Sequence, residues 1–130
     1  MDSDIYLNLL WFIPVIAWFA MRAKSITLRS TVTGAIFGLI ITHASLGLYA
    51  LYLAWPVSDA FGQFGFYSGY IHVKAGVIVA IFLHLISDNV PISDDQRLLI
   101  GTVNSVSWAI VYGALGFMMG YVKSRWKDNQ

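Results

Sequence analysis

Apolar residues fall along this chain in four long runs, and nearly all of the charge lies in the stretches between and after them. A helix needs about 20 predominantly apolar residues to cross a hydrocarbon core roughly 30 Å thick. The runs meet that length and predict helices over about 5–22, 31–55, 69–87 and 94–122. The first run follows Asp2 and Asp4 with no basic n-region and no small-residue cleavage site, so it reads as a retained helix. Pro14 removes one of its backbone hydrogen bonds and is expected to bend it. Arg22, Lys24 and Arg29 form a basic turn before helix two, and Pro56 stops that helix. The stretch 56–69, PVSDAFGQFGFYSG, reads as a Gly-rich interfacial connection with aromatic rings at headgroup level. After helix three comes SDNVPISDDQ, in which Ser93 and Gln96 have capping-box spacing, so helix four starts near Asp94.

Small residues recur where helices must approach closely. Gly34 and Gly38 form a GxxxG pair on helix two. Gly101, Ser105, Ala109 and Gly113, continued by Gly116 and Gly120, make a longer stripe on helix four. Such a stripe is a packing face, either against helices one to three or against a second copy of the chain. The reading is an all-α fold, an integral membrane four-helix bundle filling residues 1–130 as a single domain.

Composition agrees. Of 130 residues, 58% are apolar and 12% charged, with a mean hydropathy of +0.67. Average globular chains are about 45–50% apolar and about 25% charged, and a soluble fold of this size would expose the excess as an aggregating patch. Lipid is the expected solvent, and a bacterial inner membrane the expected location. The net charge of +1 gives no field for nucleic acid. The absence of cysteine removes disulfides, thiolate nucleophiles and thiolate metal sites. Four alternating crossings would put the Arg22–Arg29 turn and Arg97 on one side, and both termini with Lys123, Arg125 and Lys127 on the other. Four against three is a weak bias; letting the first turn dominate places both termini outside the cytoplasm, with a dual-topology homodimer as the alternative.

Ionisable residues within spans are costly and are functional candidates by default. His43 lies near the middle of helix two, and helix three carries His72, Lys74 and His84. By axial rise, His72 sits roughly 9 Å to one side of mid-membrane and His84 roughly 9 Å to the other, too far apart to share one iron. Neutral imidazole is a common axial ligand of haem iron, and it is equally at home as an interhelical hydrogen-bonding group. Lys74 either snorkels to the interface or pairs with a buried carboxylate. Asn8, Asn104 and Ser107 are expected to cross-bridge helices. No Walker loop, HExxH, dinucleotide fingerprint or nucleophile–base pair is present.

At helix three, Gly69-Tyr70-Ile71-His72-Val73-Lys74 and the apolar run to His84 resemble a family pattern. It is the Gly-Trp-Leu-His-x-Lys opening and later His of HemJ-type protoporphyrinogen oxidases. Those are four-helix haem-associated membrane proteins, related in architecture to the CopD-like group. Trp18-Phe19-Ala20 is similar to the Trp-Phe-Ala of that family's first helix. Leu10 stands where the family has a His eight residues before that Trp, and the chain has no Glu to match the family's helix-four start. The resemblance implies haem b, with His72 and Lys74 as the carried-over site; His43 and His84 are the further iron-ligand candidates.

Three readings follow: a haem- or porphyrin-associated, redox-linked membrane protein; a small homo-oligomeric transporter or holin-like pore; or a structural subunit of a larger membrane complex. The partners expected are the bilayer and either a second copy or a larger complex, with no nucleic acid.

Overall fold

The computed structural model describes residues 6–55, 59–82, 84 and 93–129. A 3-10 segment, Tyr6–Trp11, runs into α1 (Phe12–Ala20), followed by α2 (Ile26–Ala54), α3 (Asp59–Phe82) and α4 (Asp94–Asp128). The four helices pack together with α2 at the centre, since the 3-10 segment, α1, α3 and α4 all lie against it. Three helices, α2, α3 and α4, are long and apolar enough to cross a membrane, whereas Tyr6–Ala20 is shorter. The 3-10 geometry partly offsets this, because its rise of about 2.0 Å per residue stretches the segment to roughly 25 Å.

Helix boundaries follow local chemistry. Ser25 caps α2 through its hydroxyl, which accepts from the Leu28 amide at 3.3 Å, so the helix begins at Ile26 rather than the expected 31. At Ser93 both halves of the capping box form: the Gln96 amide donates to Ser93 Oγ and the Ser93 amide to Gln96 Oε1. That start is as expected, but α4 continues to Asp128 instead of stopping near 122, its acidic first turn and basic last turn both complementing the helix dipole. The expected interfacial loop is helix from Asp59 onward. Gly62, Gly65, Gly69, Gly76 and Ala80 recur every three or four residues as one buried stripe, with His72 set into it. The glycines that looked like loop punctuation are the side of α3 that lies on α2. The expected end of helix three at 85–87 and most of the turn after it fall outside the described residues.

The interior is built from small and polar residues. Ile41, Ala44, Ala50 and Ala80 are its buried apolar members, alongside Thr42, Ser45, His72 and Asn104. Large apolar side chains point outward, with Phe82 80%, Leu98 74% and Met119 72% exposed. Water would make such an arrangement unstable; in lipid, helices associate through close small-residue contacts and interhelical hydrogen bonds instead.

The helices do not alternate in the expected sense. A β-carbon on Gly38 would run into the Trp108 carbonyl, one on Gly116 into the Ser30 carbonyl, and one on Gly120 into Thr27. With Asn104 bonded to Thr42, these pairs make α2 and α4 antiparallel over more than four turns, whereas up-down alternation would make them parallel. The N-terminal half of α3 is antiparallel to α2 as well, with Gly62 on Tyr52 and Ser68 bonded to Ser45. Between α3 and α4 the order again runs oppositely, His72 meeting Trp108 and Tyr112 while Gly76 meets Asn104. Three straight helices satisfy all three relations only by crossing obliquely. One consequence overturns the expected charge distribution. The C-terminal end of α4 lies beside the start of α2, so Arg22, Lys24, Arg29, Lys123, Arg125 and Lys127 gather at one end of the molecule.

Candidate functional site

His72 sits at the crossing of α2, α3 and α4 and is 7% exposed. Its Nδ1 lies 2.6 Å from the Ser68 carbonyl oxygen, one turn back on the same helix. A carbonyl only accepts, so Nδ1 carries the proton and donates. With Nδ1–H as the ring's donor, Nε2 carries the lone pair and accepts from the Tyr112 hydroxyl at 2.9 Å. The Trp108 ring lies 4.3 Å from the imidazole, and Trp108 Nε1 donates to the His72 carbonyl at 2.9 Å. Ser45 of α2 completes the cluster by donating to Ser68 Oγ at 2.9 Å. Three helices are thereby tied through one histidine whose two ring nitrogens are both satisfied. Tyr112 continues into an edge-on contact with Phe37 at 5.0 Å, and Phe37 into Trp11 at 6.1 Å.

The other sequence candidates are not drawn to this point. His43 is exposed on α2. His84 lies beyond the last residue of α3 rather than inside the span; it is exposed, has a positive φ of 55° and caps the helix by donating its amide to Ile81. Lys74 is exposed and places Nζ 4.1 Å over the Tyr70 ring, one turn toward the N-terminal end of α3, as a snorkelling lysine would. It edges a nearly wholly apolar cavity of about 370 Å³ walled by Leu46, Tyr49, Phe66 and Val73. Among the described residues no three His, Asp or Glu side chains converge on a metal position. The residues do not fit the expected haem: both ring nitrogens of His72 are engaged, and His43 and His84 are exposed.

A second, polar-edged cavity of about 290 Å³ lies between α2, α3 and α4. Thr42, His43, Arg97 and Asn104 supply its polar lining, with Val73, Val77 and Ile100 the apolar wall. Asn104 is 4% exposed. Its Nδ2 donates to Thr42 Oγ1 at 2.9 Å, while its Oδ1 is buried without a hydrogen-bond partner. Gly76 packs directly on that carbonyl, and a β-carbon there would run into it. Gly101 also lines the cavity, and a β-carbon there would meet nothing within 4 Å.

Two of the expected cross-bridges form: Asn104 to Thr42, and Asn8 Nδ2 to the Gly47 carbonyl at 2.7 Å. Ser107 instead bonds Val103 within its own helix. Sequence reasoning missed Tyr112, Trp108, Ser68 and Thr42, which carry no signal on their own, being aromatic or hydroxyl residues common on membrane helices. Compared with protein-family models, curated proteins and solved structures, the chain matches none.

Proposed function

We propose that this chain is an inner-membrane protein inserted in one orientation, and that it holds a small membrane-soluble molecule in the cavity bounded by Thr42, His43, Arg97 and Asn104. The observation that carries this reading is the cavity itself, between three helices, which sets Thr42, His43, Arg97 and Asn104 against an apolar wall of Val73, Val77 and Ile100. The His72 cluster is the brace that holds the cavity walls: Asn104, Trp108 and Tyr112 occupy successive turns of α4, and the last two bond His72.

The orientation follows from the helix pairing. Arginine and lysine concentrate on the cytoplasmic side of membrane proteins, and six of the chain's eight basic residues lie at one end. That end, with the C-terminus, faces the cytoplasm, rather than both termini facing outward. So strong an asymmetry supports one orientation over a dual-topology dimer.

The test is lipid extraction and mass spectrometry of protein purified in detergent, comparing wild type with Gly101→Leu, which adds bulk at the cavity lining where a β-carbon meets nothing within 4 Å. A low-molecular-weight species that co-purifies with the wild type and is lost from the variant is expected. Identical extracts from the two would overturn the reading.

A further inference from the structure

We infer that the basic end of the molecule is a docking surface for anionic phospholipid headgroups, which it binds in preference to zwitterionic ones. The inference rests on the helix pairing that gathers the cations there, and is independent of the cavity and its ligand. Depth comes first. On α1 the exposed Phe19 is followed at once by Arg22 and Lys24. On α4 the exposed Met118, Met119 and Val122 run directly into Lys123, Arg125 and Lys127. Lipid-facing apolar surface therefore stops where the charge begins, which sets these cations at the level of the headgroups. The length of α4 agrees: its 35 residues span roughly 50 Å, more than a hydrocarbon core of roughly 30 Å can cover. Trp126 stands exposed among the cations, the usual place for an amphipathic ring.

Charge balance comes second. Gly120 packs on Thr27, so the last turns of α4 extend past the start of α2 at Ile26 and carry their cations to the same end as the α1–α2 turn. Arg22, Lys24, Lys123, Arg125 and Lys127 are exposed. Arg29 is half-buried, with its guanidinium 4.1 Å over the Trp18 ring and donating to the Trp18 carbonyl at 3.1 Å. Arg125 donates to the Tyr121 hydroxyl at 3.2 Å. These partners are neutral, so they hold the cations in place without cancelling their charge. Among the described residues, Asp128 is the one carboxylate at this end, while Asp59, Asp94 and Asp95 lie at the other. Attraction between such a cluster and an anionic leaflet needs no buried contact: each Lys or Arg near the surface contributes about fivefold in binding. A phosphate whose charge is balanced by its own ammonium gains little from the same field. The anion that fits lies in the plane of the leaflet, where exposed apolar side chains meet the cations.

The experiment uses the full chain in a non-ionic detergent, titrated separately with phosphatidylglycerol and with phosphatidylcholine of the same acyl chains and read by native mass spectrometry. Phosphatidylglycerol is expected to bind at least about tenfold more tightly, two charges' worth of attraction. Raising ammonium acetate from about 0.1 M to about 1 M shortens the screening length from about 10 Å to about 3 Å and should remove most of that preference. Combining Arg22→Gln, Lys24→Gln, Lys123→Gln and Lys127→Gln should abolish it. Either pair alone, Arg22→Gln with Lys24→Gln or Lys123→Gln with Lys127→Gln, should lose part of it, so the result does not depend on whether the fourfold variant folds. Equal affinity for the two lipids, or a preference that survives both high salt and the substitutions, would overturn the inference. So would a short oligothymidylate binding more tightly than phosphatidylglycerol, which would make the partner a nucleic acid. Detergent has no sides, so this outcome and the orientation of the chain in a membrane stand or fall separately.

Discussion

A histidine with Nδ1 given to a carbonyl and Nε2 taken by a tyrosine hydroxyl has completed its hydrogen-bonding, and its first consequence is mechanical. Removing the Tyr112 hydroxyl leaves Nε2 buried and unpaired, so Tyr112→Phe should destabilise the protein by about 1–3 kcal/mol. His72→Ala also removes the ring packed on Trp108 and should cost more, about 2–5 kcal/mol. His43→Ala, on an exposed ring, should fall within about 0.5 kcal/mol. Reversible unfolding in mixed micelles measures all three; a silent His72→Ala would remove the brace from the account. Sequence could identify His72 as costly within a span but not its partners. The Ser68 hydroxyl acquires its partner, Ser45, only when α3 lies on α2, and Tyr112, 40 positions from His72, meets it only when α3 and α4 cross.

At the scale of the element, glycine carries the architecture. Gly38 and Gly116 allow backbones to meet where any side chain would collide with a carbonyl. Gly38→Val and Gly116→Val should each cost about 1–3 kcal/mol, the usual penalty of overpacking, whereas Gly101→Ala, facing open space inside α4, should stabilise by about 0.5–1 kcal/mol through helix propensity. The same unfolding assay separates the two classes, and equal effects would mean that the helix-four stripe packs as a unit. Only part of that stripe does so here: Gly113, Gly116 and Gly120 are buried, and Gly101 is exposed. Apolar run length located the cores of the long helices correctly, and the capping box located the start of α4. The beginning of α3 was hidden because Gly62, Gly65 and Gly69 look like a flexible connection in a linear reading. Inside a membrane an unpaired backbone is more costly than a helical glycine, so the same residues become helix with a bare face.

For the whole molecule, the governing fact is that α2 and α4 are antiparallel. If both cross the bilayer, the chain between Ala54 and Asp94 leaves and returns to one side, so α3 with its following connection makes no net crossing. Simple alternation gives the opposite result, with residues 59 and 95 on opposite sides. Linear hydropathy cannot choose between them, because it records which segments are apolar and not which of them meet. The chain contains no cysteine, so each single-cysteine variant reports one position. In intact cells treated with a membrane-impermeant maleimide, Asp59→Cys and Asp95→Cys should both be labelled. Asn129→Cys, beside Arg125 and Lys127, should react only after the membrane is permeabilised. All three positions are exposed, so burial within the protein does not block reaction. Labelling of Asp59→Cys without Asp95→Cys would restore alternation and break the link between helix pairing and charge. Labelling of Asn129→Cys in intact cells would reverse the orientation, setting six basic side chains against the rule that places them inside.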